Sequence, residues 1–468
     1  MNEPISEQPK PKSGRRGFRR FGWLGLLALP LGIFLLALIG VGIREWQAEQ
    51  RLEEELARIR AAGLPTDDAT MSQWFQQATH TEGTAAWGEL LRLAGGAALP
   101  SAAFDALPYI GNAQPPTVIE PGGAWPEEPL VAEYLSWMRP AIEQLHEARE
   151  YPTPVWQPIE FQGFQTLLEE LQESRSLIRL LQVEVEHALH HGEAERALRG
   201  LNSMRGVAEA FDWEICLVAD LVHRALVGVH QSMVLRSLAC DLWTEEQLDQ
   251  LLEQLGPPIE ADGKWQRVFA GERAMTASAL MDPASQLDLG TGNPMWLLVK
   301  LPSQREFWIR AYDAMLTVGE GPLDGLLARA QALEASWQAT QRNGRGSFFD
   351  LTRFQVSLFF PTLEACANAF VRSENGRRLA RTALGIKKYQ LRNGTWPTEL
   401  QQLEQVGLKA SDWRIVSGQP LGYQVDGQVA YVWGTDWQEP QQGTAIRAQL
   451  PNLDDEEDRD SRPWTLIR

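Results

Sequence analysis

The sequence predicts a mainly α-helical chain with a single N-terminal transmembrane helix, an irregular helical bundle and a small C-terminal α+β module with a β-hairpin. Three observations predict this. Phe21 to Ile43 is an apolar run without a charge, and residues 130 to 375 carry apolar positions at helical spacing almost throughout. Near the end, Asp426-Gly427 separates two short alternating runs, Pro420 to Val425 and Gln428 to Trp433, the signature of a hairpin with a type I′ turn.

At ~1.5 Å per residue the apolar run reaches roughly 35 Å, enough to cross a hydrocarbon core of about 30 Å. Lys10, Lys12, Arg15, Arg16, Arg19 and Arg20 precede it, whereas Arg44 and Arg51 are mixed with Glu45, Glu49, Glu53, Glu54 and Glu55 after it. The positive-inside bias therefore keeps the N-terminus cytoplasmic and exports the rest. The rival reading is a cleaved signal peptide, for which Arg15-Arg16 would be a twin-arginine signal. The run exceeds the roughly 7–15 residues of a signal core, and Gly40-Val41-Gly42 is a poor cleavage site, so the segment reads as an uncleaved signal anchor in a bacterial inner membrane. Trp23 and Trp46 stand at its two interfaces.

Six parts follow in order. Residues 1–20 are a basic cytoplasmic arm and 21–43 the transmembrane helix. Residues 44–129 form a charged stem that holds the body off the membrane, short helices and a Pro/Gly-rich connection. Residues 130–375 are the helical bundle, 376–450 the α+β module and 451–468 a solvated acidic tail. Leu52, Leu56 and Ile59 recur helically in the stem, which Gly63 and Pro65 stop; Asp67 or Asp68 then caps a short helix, and another fits Thr84 to Ala94. In the bundle, Glu160 to Leu189 reads as one long amphipathic helix closed by His190-His191-Gly192. Its antiparallel partner starts at Glu193, and Thr244 caps a helix that Pro257-Pro258 stops. Further helices fit 213–240, 263–281, 303–317, 322–342, 349–373 and 376–394.

The formal charge is −18; the first twenty residues hold six basic and two acidic side chains, leaving −22 on the remainder. Such a body repels nucleic acid, so the expected partners are the bilayer, through residues 21–43, and another protein of the cell envelope. Cys216, Cys240 and Cys366 are too few and too apolar in setting for a disulfide framework and read as buried thiols.

Chemistry-bearing patterns are sparse. His187, His190 and His191, at i, i+3 and i+4, can turn imidazoles toward one metal or simply sit as a histidine cluster at a helix C-terminus. Gly271-Glu272-Arg273 interrupts an apolar helix; Glu272 and Arg273 read as an ion pair fixing helix register or as a catalytic acid with its modulator. Trp74, Trp87, Trp125, Trp137 and Trp156 crowd the first third of the exported part, as core filler or as the lining of a groove. No nucleophile elbow, zinc-protease helix, phosphate loop or Cys-x-x-Cys is present.

Two resemblances enter on specific residues. The helix, Gly192 turn and following Glu193-Ala194-Glu195-Arg196-Ala197-Leu198 resemble a helical hairpin of tetratricopeptide-like repeats, although no fixed period continues. The order Ala383, Tyr389, Gly394, Trp396-Pro397, Leu400 and Leu403, then Ser417-Gly418-Gln419-Pro420-Leu421 with Tyr423, then Trp433-Gly434-Thr435-Asp436, resembles the globular part of type II secretion major pseudopilins. It is also similar to a recurrent set of bacterial membrane-anchored proteins in which a helical region precedes this module. The resemblance covers residues 379 to 437 and implies a secretion or pilus-like assembly and a calcium site, with Asp426, Asp436 and Glu439 as oxygen donors. The pseudopilin's Asp-Pro is absent, and its filament-forming helix does not precede the module. Two functions are thus expected from the sequence: a non-enzymatic, membrane-anchored protein-binding scaffold, or a tethered hydrolase of envelope polymers using Glu272.

Overall fold

The computed structural model describes residues 19–96, 105–116, 119, 121–281, 300–343, 363–427, 429–434 and 465–467. Most of them are helical. The first helix, α1 (Arg19–Ala61), carries the apolar run and the stem without a break. It is long and apolar enough to cross a membrane. Leu31, Ile33, Phe34, Leu36 and Ile39 are exposed around its circumference, an arrangement that water would penalise and lipid would not. Gly63, at φ 72°, ends the helix in the left-handed region that its missing Cβ permits.

The outer turns of the stem lie along α10 (Pro302–Val318), so the stem is packed against the body. Glu45 accepts hydrogen bonds from Ser303 N (2.9 Å) and Oγ (2.8 Å), capping the start of α10 two residues past Ile43. Arg51 grips Glu306 through two bonds of 2.8 and 2.9 Å, and Arg58 reaches Asp313 at 2.9 Å. Both helices advance by seven residues between these last contacts, so they run parallel and in register, as two-turn spacing requires. Leu52 and Ile59 close against Ile309, and Ala48 is fully buried. Burial of each such aliphatic side chain contributes about 1.5–3 kcal/mol, more than the exposed ion pairs.

Local signals explain the next elements. Asp67 and Thr70 exchange hydrogen bonds in a capping box at α2 (Asp68–Ala78), and α3 (Thr84–Gly96) follows. Four helices then build the centre: α4 (Glu128–Ala148), α5 (Glu169–His190), α6 (Ala194–Ala210) and α7 (Leu217–Ser237). Gly192, at φ 72°, turns α5 back onto α6 as an antiparallel hairpin. The helix expected from Glu160 starts only at Glu169, because Gly163 adopts φ 54° and its amide is taken by the Asp68 carboxylate at 3.1 Å. Thr244 and Gln247 cap α8 (Glu245–Gln254) reciprocally; α9 (Ala261–Met281), α10 and α11 (Leu326–Asn343) complete a second layer.

Residues 349–362 of one expected helix lie outside the described residues; the rest of it and the helix expected at 376–394 are one element, α12 (Leu363–Asn393), which also passes through the boundary expected at 375/376. Gly376 lies inside it, with the side-chain amide end of Gln231 of α7 against it. Cys366, Ala367 and Phe370 join the apolar cluster of α9 to α11, whereas Leu379, Ala383, Leu384 and Ile386 join the larger cluster of α2 to α8. Against its C-terminal half lie β1 (Gly422–Asp426), β2 (Val429–Trp433) and β3 (Thr465–Ile467), antiparallel in that order. Asp426 pairs with Val429 and so belongs to the strand, with Gly427 (φ 59°) following it, instead of standing in the turn as expected. Because β3 pairs with β2, the expected acidic tail ends in a strand.

Trypsin treatment of membrane vesicles checks the docked stem. The wild type should resist cleavage at Arg58 and Arg60, whereas Leu52→Asp, which places a carboxylate in the apolar seam, should be cut there and shed the body. Equal resistance in both proteins would contradict the docking.

Candidate functional site

The three candidate histidines, all at the C-terminal end of α5, separate on the structure. Glu128, in the first turn of α4, accepts from His187 Nε2 at 3.2 Å and His191 Nε2 at 3.1 Å with the same carboxylate oxygen. His190 turns instead edge-on to Trp125, 5.3 Å between ring centres. Glu128, His187 and His191 have the residue types of a metal site, with ligand atoms within 4.8 Å of one another. The other side of His187 decides against it. Arg196 Nη1 stands 3.1 Å from His187 Nδ1, and a guanidinium only donates. Neutral His187 therefore carries its proton on Nε2, pointing at Glu128, and has no lone pair there for a metal. A ligating histidine needs an acceptor behind it, not a cation. Burial lowers the His187 pKa below its ordinary value, and Arg196 adds to the effect. The hydrogen bond from His191 leads the lowering of Glu128.

Gly271, Glu272 and Arg273 do three separate things, because successive helical residues point about 100° apart. A Cβ on Gly271 would overlap the Ile215 carbonyl oxygen, so glycine sets how closely α9 passes the start of α7. Glu272 accepts from Leu217 N at 2.7 Å, capping α7, and burial raises its pKa. Arg273 faces away, with Nη1 donating to Asp313 Oδ1 at 2.8 Å. The expected pairing of Glu272 with Arg273 is thus replaced by two pairings with other helices. Asp426 is exposed at the end of β1, while Asp436 and Glu439 lie outside the described residues. The tryptophans mostly fill the interior. Trp87 meets Phe211 edge-on at 5.6 Å, Trp125 is buried, Trp74 and Trp156 pack on the core, and Trp137 alone of the five is well exposed. Cys216, Cys240 and Cys366 are buried thiols with no disulfide between them, and burial pushes Cys216 and Cys366 up to about 12.

Residues between 387 and 423 meet locally. Tyr423 donates its hydroxyl to the Pro397 carbonyl at 2.8 Å, and Lys387 Nζ lies 5.8 Å from the Trp396 ring centre.

A cleft that these patterns do not mark lies between α6 and α8, with Arg149, just past the end of α4, beside it. Its volume is about 900 Å³. Arg196, Arg199, Asn202 and Arg205 of α6 line it at three-residue intervals, together with Arg149, Gln250 and Gln254. That spacing is the one signal in the sequence, since residues three apart form a row on a helix surface. Gly206 gives Arg149 room to lie across α6. Glu209 is shared by Arg149 (3.1 Å) and Arg205 (2.8 Å), and Arg149 Nε is buried without a partner. Arg199 is half-exposed and only 3.8 Å from Glu143 at its nearest. With Glu195 and Glu253 also present, four guanidiniums face three carboxylates on a chain of charge −18. Arg196 is already held by Glu184 and Glu193, so Arg199, the most exposed of the four and with only Glu143 near it, is the guanidinium most open to a further carboxylate.

Two measurements follow from this geometry. Gly271→Ala should prevent recovery of a folded body, whereas Gly88→Ala, at an open position in α3, should leave its melting temperature within a few degrees. Burial holds His230 of α7 down at about 3. The native ring stays neutral while the unfolded chain takes up a proton near 6.5, so this residue's stabilising effect is complete above that value and is lost as the pH falls toward 3. The drop in melting temperature between about pH 7.5 and about pH 5 should therefore be smaller in His230→Gln than in the wild type. Comparison of the chain with protein-family models, with curated proteins and with solved structures finds no match.

Proposed function

We propose that the chain is a non-enzymatic adaptor of the bacterial envelope. It is held in the inner membrane by residues 21–43, with its N-terminus cytoplasmic and its body periplasmic, and it binds an acidic segment of another protein. The arginine row of the α6–α8 cleft carries this reading. Guanidiniums on a rigid helix recognise carboxylates through paired hydrogen bonds, and the acidic remainder of the body repels acidic chains that miss the cleft. Glu272, the acid on which a hydrolase would depend, is committed to a backbone amide and borders neither the cleft nor the stem cavity described below. The pseudopilin resemblance of residues 379 to 437 supports a partner within a secretion or pilus-like assembly.

A photo-crosslinking residue at Asn202 of the full-length protein, activated in native membranes, tests the proposal. A discrete protein adduct is expected from Asn202 and not from Arg92 on α3. Arg199→Glu should weaken the adduct by about fivefold, the effect of one exposed charge pair. No adduct from Asn202 beyond that from Arg92 would overturn the reading.

A further inference from the structure

A second cavity, of about 430 Å³, lies where the stem of α1 meets α9 and α10. Arg273 borders it and is the reason to ask what it holds. This side chain is only 2% exposed, yet its Nε and Nη2 have no hydrogen-bond partner among the described residues. The Nε–Nη2 edge is the side of the guanidinium that grips a carboxylate at two points. Arg51 uses it on Glu306 (2.8 and 2.9 Å), Arg224 on Asp220 (2.7 and 2.9 Å) and Arg377 on Glu374 (2.8 and 2.9 Å). In Arg273 the same edge is buried and unfilled, a costly arrangement unless an oxyanion completes it.

The surrounding charge agrees. Asp313, the one partner of Arg273, is shared with Arg58. Arg305 also borders the cavity, half-buried and without a hydrogen-bond partner among the described residues. Two carboxylates border it too, but Asp67 is held by Thr70 N at 2.9 Å and Asp68 by Gly163 N at 3.1 Å. The remaining wall is largely apolar, with Leu56 of the stem on one side and Trp308 and Ile309 of α10 on another. A bare inorganic anion would satisfy the arginines and leave those side chains without a partner.

We infer that this cavity binds an amphiphilic oxyanion, a carboxylate or phosphate head carrying a short apolar chain. The head takes the open edge of Arg273 with help from Arg305, and the chain lies against the stem. Bound there, the ligand joins the membrane helix to the body more firmly.

Calorimetry on the full-length protein in lipid nanodiscs tests this with four probes: octyl phosphate, octanoate, octanol and inorganic phosphate. The two amphiphilic anions should bind saturably, one per chain, and octanol and inorganic phosphate about tenfold or more weaker. Arg273→Gln should lose at least about tenfold in octyl phosphate affinity. Leu56→Trp, which keeps the arginine and fills the cavity, should abolish binding and serves as the test if Arg273→Gln does not fold. Absence of saturable binding by the wild type, wild-type affinity in Leu56→Trp, or inorganic phosphate binding as tightly as octyl phosphate would each overturn the inference.

Discussion

Buried carboxylates that must each meet a guanidinium decide how this body is assembled. Glu184, Glu186, Asp220 and Glu374 are at most 1% exposed, the deepest carboxylates among the described residues. Glu184 is held from α6 by Arg196 at 2.6 Å and from α4 by Arg139 at 3.2 Å. Glu186, two residues on, is held from α7 by Arg236 at 2.5 Å and by the Tyr109 hydroxyl at 2.9 Å. Helix α5 is thus pinned on two sides by charge. Asp220 engages Arg224, whose guanidinium lies 3.3 Å from the Phe370 ring centre on α12; Glu374 engages Arg377, Arg378 and the amide of Ile259. Removing one partner of a buried pair costs about 3–5 kcal/mol, a large share of a domain's net stability of roughly 5–15 kcal/mol. Apolar burial makes the bundle compact; the pairs of Glu184 and Glu186 cross between helices and join α5 to α4, α6 and α7, whereas those of Asp220 and Glu374 with arginine lie within one helix.

Much of the fold is written locally, and those parts are legible. Asp67 and Thr244 cap their helices through residues three positions ahead, and Gly63 and Gly192 end theirs by adopting positive φ. What is not legible depends on distant partners. Gly163 breaks the start of α5 with the help of Asp68, ninety-five residues earlier. Gly376 reads as a helix boundary until Gln231 is seen to lie against it. Arg273 finds Asp313 instead of its neighbour, and Arg51 finds Glu306 across 255 residues, so the packing of the stem on the body does not show in the sequence.

The candidate sites divide in the same way. The convergence of His187 and His191 follows from their spacing of four, but the acceptor Glu128 and the opposing Arg196 come from other elements, and they turn a metal-like trio into a hydrogen-bonded clasp. The arginine row of α6 was present in the sequence at three-residue intervals. Only the fold shows that α8 stands opposite and converts a charged helix face into a cleft. Arg273 is legible as an odd residue in an apolar helix, whereas its unfilled edge is a property of packing alone.

Between Leu31 and Ala61 helix α1 has no proline, and its final four turns are fastened to α10 by Glu45, Arg51 and Arg58. With that rod in a bilayer, its inclination becomes the body's inclination. A thicker or thinner hydrocarbon layer changes how far such a helix leans. A body fastened to the helix in this way would lean with it, and the arginine cleft would change its distance from the lipid accordingly.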